Sequence, residues 1–262
     1  MPPDTLASAG ADDCPRAAPG TRLPITGERT VPGVAHENYW FRRHEAVYRV
    51  LAPYAEGAVV LEAGCGEGYG ADLLTAAAAR VLAVDRDAQT VRHAAGAYPR
   101  LDVLRADLQR LPLGDASVGV VITLQVIEHL HDQAGFVREC TRVLVPGGLL
   151  VMSTPNRLTF SPGLDAPINP FHTRELAPAE LDGLLTPFLD VVQIKGLRHG
   201  SALLAWEAAH GPIMDAQLAG PPDGWPAAVS QRVAAVTVDD FEIDAGEIDT
   251  ALDLVAVARR RR

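Results

Sequence analysis

The densest chemical signal in the chain is Glu62-Ala63-Gly64-Cys65-Gly66-Glu67-Gly68-Tyr69-Gly70. It follows the apolar run Val59-Val60-Leu61 and opens a helical pattern through Leu73 and Leu74. Glycines at a strand-to-helix turn let the backbone bend sharply and approach a ligand closely, so a nucleotide-type cofactor is expected there. Two kinds compete. Gly66-x-Gly68-x-x-Ala71 fits the dinucleotide pattern, whose pyrophosphate rests on amides and a helix N-terminus. Glu62 and Glu67 bracket the turn, however, and carboxylates there repel a pyrophosphate by about a few kcal/mol. A ligand with an ammonium and a sulfonium but no phosphate suits them better, and S-adenosylmethionine has that description. Asp85, ending the next apolar run, is placed to bond ribose hydroxyls and serves either cofactor.

A second group is Gln125-Val126-Ile127-Glu128-His129-Leu130-His131-Asp132. His129 follows the fourth apolar run, whose C-terminal end faces the cofactor crevice in a doubly wound sheet. Histidine titrates near working pH, so His129 is the first candidate for a general base. His172, in a proline-rich loop, is the second. Glu128 orients a histidine, contacts the cofactor, or complements a helix dipole. The same run carries donors for a divalent cation, but Asp132 is also placed to cap the helix from Gln133, and no metal site is expected. Tyr39, Trp40, Arg42, Arg43 and His44 form an aromatic–basic cluster nearer the N-terminus. It reads either as packing anchors of an amphipathic helix or as a cover in which rings stack on sugar or adenine and a cation meets a carboxylate. Trp206 and Trp225 line a sugar groove or belong to the core.

Positioning these groups requires a scaffold. Val59–Leu61, Val81–Asp85, Leu101–Leu104, Val118–Ile122 and Leu149–Ser153 are continuously apolar runs separated by helical patterns, the signature of a parallel sheet covered on both faces. Val191–Ile194 and Leu252–Val257 add a sixth and a seventh strand, giving a doubly wound, mostly parallel, Rossmann-like α/β sheet of seven strands. Arg174 to Leu185 reads as helical. The expected organisation is a disordered tail over 1–24, an N-terminal cover over 25–55, a cofactor domain over 56–200 and 249–258, and an insertion over 201–248 serving as lid or acceptor wall.

Composition narrows the classes. The 262 residues carry a net charge of −10, which weighs against a nucleic-acid partner, since non-specific binding leans on Lys and Arg. No apolar stretch reaches the ~20 residues of a membrane span, and the start lacks the order of a signal peptide, so a soluble, cytoplasmic protein is expected. Cys14, Cys65 and Cys140 show no CxxC spacing, so neither disulfides nor zinc are indicated.

The stretch from Val59 to Asn156 resembles class I S-adenosylmethionine-dependent methyltransferases. The likeness rests on the glycine loop, Val84-Asp85, Ala106-Asp107-Leu108, Gln125–His129 and Leu144-Val145-Pro146-Gly147-Gly148. It implies that Gly64, Cys65, Gly66 and Gly68 pass under the methionine part, with Glu62 near its amino end. Asp85, with Arg86 beside it, would meet the ribose, Asp107 and Leu108 the adenine and Gln125 the donor methyl; from the aromatic–basic cluster, His44 is the cation expected at the cofactor's carboxylate. A wider likeness, through Gly27–Thr30, Glu37–His44 and Asn169–Leu176, is to actinobacterial sugar and polysaccharide methyltransferases associated with mycobacterial methylglucose lipopolysaccharide assembly. It implies O-methylation of a glucan hydroxyl, with Tyr39, Trp40, Arg43, His172 and Arg174 at the carbohydrate acceptor. The residues leave open a lipid-linked or small aromatic acceptor, a non-catalytic binding partner, and a dinucleotide oxidoreductase.

Overall fold

Apolar β-branched runs become strands wherever glycine, proline or charge bounds them. In the computed structural model, which describes Leu23 and residues 29–262, these are β1 (Val59–Ala63), β2 (Arg80–Asp85), β3 (Asp102–Arg105), β4 (Val118–Leu124) and β5 (Leu144–Pro155). They lie parallel in the order β3-β2-β1-β4-β5. Next come β6 (Leu189–His199), β7 (Phe241–Asp244) and β8 (Asp253–Arg260), and the sheet continues β5-β8-β6-β7 with every pairing antiparallel. The tail expected over 1–24 lies outside the described residues save Leu23, which is buried, and so does the Gly27-Glu28 segment.

The sheet is therefore mixed and eight-stranded, which corrects the expected seven mostly parallel strands. The added strand is β7, inside the segment 201–248 expected as an insertion. Its side chains alternate, Phe241 buried and Glu242 exposed, and four residues with that pattern suit a short edge strand. Charge hid the pattern, because only one of its faces is apolar.

The helices are α1 (Asn38–Leu51), α2 (Tyr69–Leu74), α3 (Ala88–Ala97), α4 (Gln133–Val143), α5 (Arg157–Phe160), α6 (Pro178–Leu185), α7 (Ser201–His210), α8 (Ile213–Leu218) and α9 (Ala227–Ala235). Asp132 caps α4 by accepting from the Gly135 amide at 2.7 Å, as its position before Gln133 suggests. The helix expected from Arg174 starts only at Pro178. Arg174 to Ala177 is not helical, Leu176 bridges to Asn156, and Glu180 accepts the extended Ala177's amide at 2.8 Å to set the helix start. Alternation along β1 sends Val60 into the core beneath α1, α2 and α9, and Leu61 into the core beneath α4 and α6. Segment 201–248 packs on α1, where the Asn38 side-chain amide donates to the carbonyls of Val233 and Val236 at 3.0 and 2.8 Å.

Candidate functional site

The turn after β1 hangs on β2 by its backbone. The amides of Gly64 and Cys65 both donate to the Val84 carbonyl, at 2.8 and 2.9 Å. Gly64 sits at φ +86°, and a Cβ there would lie 2.5 Å from Val126 Cγ2, so the position admits only glycine. Gly66 is different: at φ +53° it has nothing within 4 Å of an added Cβ, which leaves its face open for a ligand. Asp85 secures the turn from the side. Its Oδ2 accepts the Gly66 amide at 3.1 Å and its Oδ1 the Asp87 amide at 2.9 Å.

Glu62 and Glu67 do not flank a ligand symmetrically. Glu67 is turned inward and buried, its carboxylate bonded by His93 Nε2 and the Tyr98 hydroxyl, both at 2.6 Å, and by the Tyr69 amide at 3.2 Å. Burial raises its pKa against those partners. It braces the loop and does not face a ligand, which corrects the reading that both carboxylates receive the cofactor's charge. Glu62 is fully buried at the end of β1, with Oε1 accepting from the Tyr48 hydroxyl and Oε2 without a hydrogen-bond partner. Burial pushes it up to about 8, so the free protein holds it neutral at pH 7. Tyr48 reaches it because residue 70 is glycine, where a Cβ would stand 2.0 Å from Tyr48 Cζ.

The other residues expected at the cofactor lie along the same strand ends. Asp107 is exposed and accepts the Gln109 amide at 2.9 Å, Leu108 beside it is buried, and Arg86 is exposed with its carbonyl held by Arg105 Nε at 3.0 Å. Gln125 follows β4 at φ +54°, a strained position for a residue with a Cβ. Its amide donates to the Ser153 carbonyl at 2.9 Å and its Nε2 to Ser153 Oγ at 3.2 Å. An orphaned buried carboxyl oxygen, an open glycine face and a strained residue at the strand ends fit a small polar cofactor carrying an ammonium.

Beyond Gln125 opens a cavity of about 440 Å³. Trp40, Phe160 and Phe171 supply aromatic wall, while Arg29, Glu37, Arg43, His44, Glu128, His129, Asn169 and His172 supply polar groups. His44 lies near the Tyr69 hydroxyl (3.3 Å), and burial lowers its pKa to about 4, so it is a neutral donor. Glu128 is fully buried, accepts from Thr154 Oγ1 at 3.0 Å and leaves Oε1 without a partner. Burial pushes it up to about 8. His129 donates Nδ1–H to the Phe171 carbonyl at 2.9 Å, which assigns the ring's lone pair to Nε2. His172 donates Nδ1–H to buried Glu175 at 2.7 Å, and its Nε2 accepts from the Asn169 side-chain amide at 3.1 Å. The two imidazoles stand edge to face, 4.9 Å apart at 86°. The structure thus brings together all three residues expected to do chemistry.

Three residues expected at the acceptor stand otherwise. Tyr39 is wholly buried outside the cavity, bonded to His199 Nε2 at 2.7 Å, because α1 turns this ring into the core. The Arg43 guanidinium lines the cavity but is engaged by Asp253 through Nε at 2.6 Å and Nη2 at 2.7 Å, with Met214 Sδ on Nη1 at 3.3 Å. Its charge is spent on β8. Arg174 is exposed, points to Glu180 at 3.4 Å, and borders a separate small depression. Trp206 and Trp225 line neither; Trp206 stacks on His210 at 4.5 Å. Sequence reasoning missed Glu175, Asn169, Asp253, Thr154 and Tyr48. Glu175 and Asn169 stand three residues either side of His172, and that spacing is the one signal that could have found them.

Comparison with known proteins agrees with this geometry. A family described as "Methyltransferase domain" matches residues 61–152. The chain is 55% identical over 245 residues to a protein of Mycolicibacterium smegmatis named "Probable S-adenosylmethionine-dependent methyltransferase", covering 91% of this chain and 95% of that one. A Mycobacterium tuberculosis protein with the same description is 56% identical over 249 residues, 91% of this chain and 90% of that one. A solved S-adenosylmethionine-dependent methyltransferase from Thermotoga maritima shares the fold, with TM-score 0.59 over 87% of this chain and 92% of that chain at 16% identity. Among the described residues no helix is long and apolar enough to cross a membrane. With an α/β sheet, a glycine turn suited to a phosphate-free cationic cofactor and relatives of this identity over nearly full length, the chain belongs to the class I S-adenosylmethionine-dependent methyltransferases and S-adenosylmethionine is its cofactor.

Proposed function

We propose that the chain is an O-methyltransferase whose acceptor is a sugar hydroxyl, on a glucan-type chain such as a methylglucose lipopolysaccharide precursor. The observation that carries this reading is the cavity beside Gln125. Its volume of about 440 Å³ suits one end of a glycan, small-molecule sites spanning about 300–1,000 Å³. Aromatic faces at Trp40, Phe160 and Phe171 offer stacking area, and Glu37 and Asn169 offer hydrogen bonds to hydroxyls.

The bound cofactor supplies an electrophilic methyl on a sulfonium. Everything else falls to the protein's own groups. Gln125, fixed by both of its bonds to Ser153, lines the cavity just after β4. A sugar hydroxyl is a weak nucleophile near pH 7 and needs help in losing its proton. The Glu128–His129–His172 cluster is where that help is available. Glu62 is assigned to the cofactor's ammonium, and His44, a neutral donor, to its carboxylate. The aromatic walls exclude water, so the hydroxyl and the donor are held in line as one reacting pair.

The test is incubation with labelled S-adenosylmethionine and a panel of glucans, mannans, lipids and phenols, locating the new methyl by mass spectrometry. Methylation of a glucan hydroxyl is expected. Methylation only of a phenol or lipid would overturn the carbohydrate assignment. His129→Ala should lower kcat by about 10²-fold or more while cofactor affinity holds within a few-fold.

A further inference from the structure

We infer that Glu128, His129 and His172 bind a divalent first-row transition-metal ion at the floor of the acceptor cavity. The three residues each bring one ligand atom to within 4.8 Å of the others. They come from two separated stretches, the end of β4 and the loop before α6, so the convergence is a product of the fold.

Each ligand also has the outer partner that a metal ligand needs. A ligating histidine typically gives its second ring N–H to a carboxylate or carbonyl, which fixes the tautomer and aims the remaining lone pair. His172 gives Nδ1–H to Glu175, 1% exposed, and His129 gives its own to the Phe171 carbonyl. Glu128 has one oxygen held by Thr154, and Oε1, fully buried at the cavity, has no partner. A buried polar atom left in that state has lost its hydration without a replacement, and an ion would supply one. The other buried cation of the cavity, Arg43, is neutralised by Asp253 and does not oppose a second positive charge.

The donor set selects the ion class. Two imidazoles and one carboxylate suit Mn²⁺, Fe²⁺ or Zn²⁺ better than Mg²⁺ or Ca²⁺, which prefer all-oxygen shells. Ligands at ~2.1 Å from one ion stand ~3.4 Å apart in a tetrahedral and ~3.0 Å apart in a cis octahedral arrangement, so side-chain rotation has to close the present separations of up to 4.8 Å by at most ~1.8 Å. One group must also yield. Asn169 now donates to His172 Nε2, its orientation fixed by the Phe171 amide on Oδ1 at 3.0 Å, and an ion would displace that bond.

Three protein ligands leave coordination positions open to the cavity, where the acceptor hydroxyl can enter. On the ion its pKa falls and its proton leaves to water. Its oxygen then bonds the methyl carbon as the carbon–sulfur bond breaks, and sulfur departs with that electron pair as a neutral thioether. This catalytic role rests on the O-methyl reading above, whereas ion binding does not.

The experiment uses the full chain, stripped with EDTA and dialysed, then titrated with MnCl₂ by electron paramagnetic resonance and with ZnCl₂ by calorimetry. One ion per chain is expected. Glu175→Gln, which keeps a hydrogen bond to His172 but removes the charge behind it, should weaken binding about 10–100-fold. His172→Ala should weaken it further, and Asn169→Ala should not weaken it at all. Cofactor calorimetry on each variant checks that it is folded. Absence of Mn²⁺ and Zn²⁺ binding by the wild type would overturn the site, as would unchanged binding by folded Glu175→Gln and His172→Ala. Methylation of a sugar by ion-free protein would also remove the ion from the reaction while leaving the O-methyl reading intact.

Discussion

The proposed pairing of Glu62 with the cofactor's ammonium predicts that cofactor affinity depends on pH. Its buried carboxyl is pushed up to about 8, so at pH 6 the free protein carries it protonated. Its assigned partner is the cofactor's ammonium, and α-amino groups titrate at about 7.7–8.0. The bound pair shares one proton fewer than the free partners hold at low pH, and one more than they hold at high pH. With both pKa values at about 8, the fraction of free partners in the productive charge state rises from about 0.01 at pH 6 to about 0.25 at pH 8. Cofactor affinity should therefore increase about 25-fold over that interval, or about 1.9 kcal/mol, and decline again above it. Calorimetric titration at pH 6, 7, 8 and 9, in buffers of different ionisation enthalpy, reads both the affinity and the proton released. Glu62→Gln preserves the acceptor for Tyr48 and removes the titration, so its affinity should be level from pH 6 to 7. A wild-type affinity that is flat between pH 6 and 8, or a Glu62→Gln protein that keeps the slope, would refute the pairing of Glu62 with the ammonium.

The same burial has a stability consequence with a definite sign. Folded Glu62 holds a proton that the unfolded chain releases from about 4.5 upward, so stability falls between pH 4.5 and 8, and Glu62→Gln should be the more stable protein at pH 8 by urea denaturation. His44 works oppositely: lowered to about 4 by burial, it contributes stability above pH 6.5 that is lost as pH falls toward 4, and His44→Gln should flatten that acid limb. Arg43→Met leaves Asp253 as a lone buried charge and should cost about 3–5 kcal/mol, whereas Arg43→Met with Asp253→Leu should recover most of it in a double-mutant cycle. Gly66→Ala meets open space in the free protein and should cost about 1 kcal/mol of stability, yet lose cofactor affinity if the ligand passes there, as calorimetry would show.

The parallel half of the sheet was legible because its strands are buried on both faces and read as unbroken apolar runs, β1 and β4 above all. β7 was not, since an edge strand buries one face only and Glu242 and Asp244 look like loop charge. Side-chain direction was the other blind spot. Glu62 and Glu67 flank the glycines symmetrically in sequence, but the αL turn at Gly66 and Gly68 sends Glu67 back beneath α3 toward His93 and Tyr98. Along α1, the ring of Tyr39 and the guanidinium of Arg43, four residues apart, lie on the buried side, so a cluster that looks poised for a ligand spends both on the core and on Asp253.

What no spacing could show is how the loop carrying His172 is attached to the strand end carrying His129. The amides of Thr173 and Arg174 both donate to the Glu128 carbonyl, at 2.7 and 3.2 Å, and the Gln133 side chain bridges the carbonyls of Ile127 and Arg174 at 3.0 and 2.9 Å. These bonds fix the approach of the two histidines through the backbone, independently of either ring. The Phe171 carbonyl that orients His129 belongs to the same loop, so His129 takes its tautomer from the segment that carries His172, whereas His172 takes its own from Glu175 and Asn169 within that segment. The loop with Pro162, Pro167 and Pro170 is thereby tied at its C-terminal end to the strand end that carries His129. The chemistry at this end of the molecule is consequently a property of the joined pair of segments, and no window of sequence contains it.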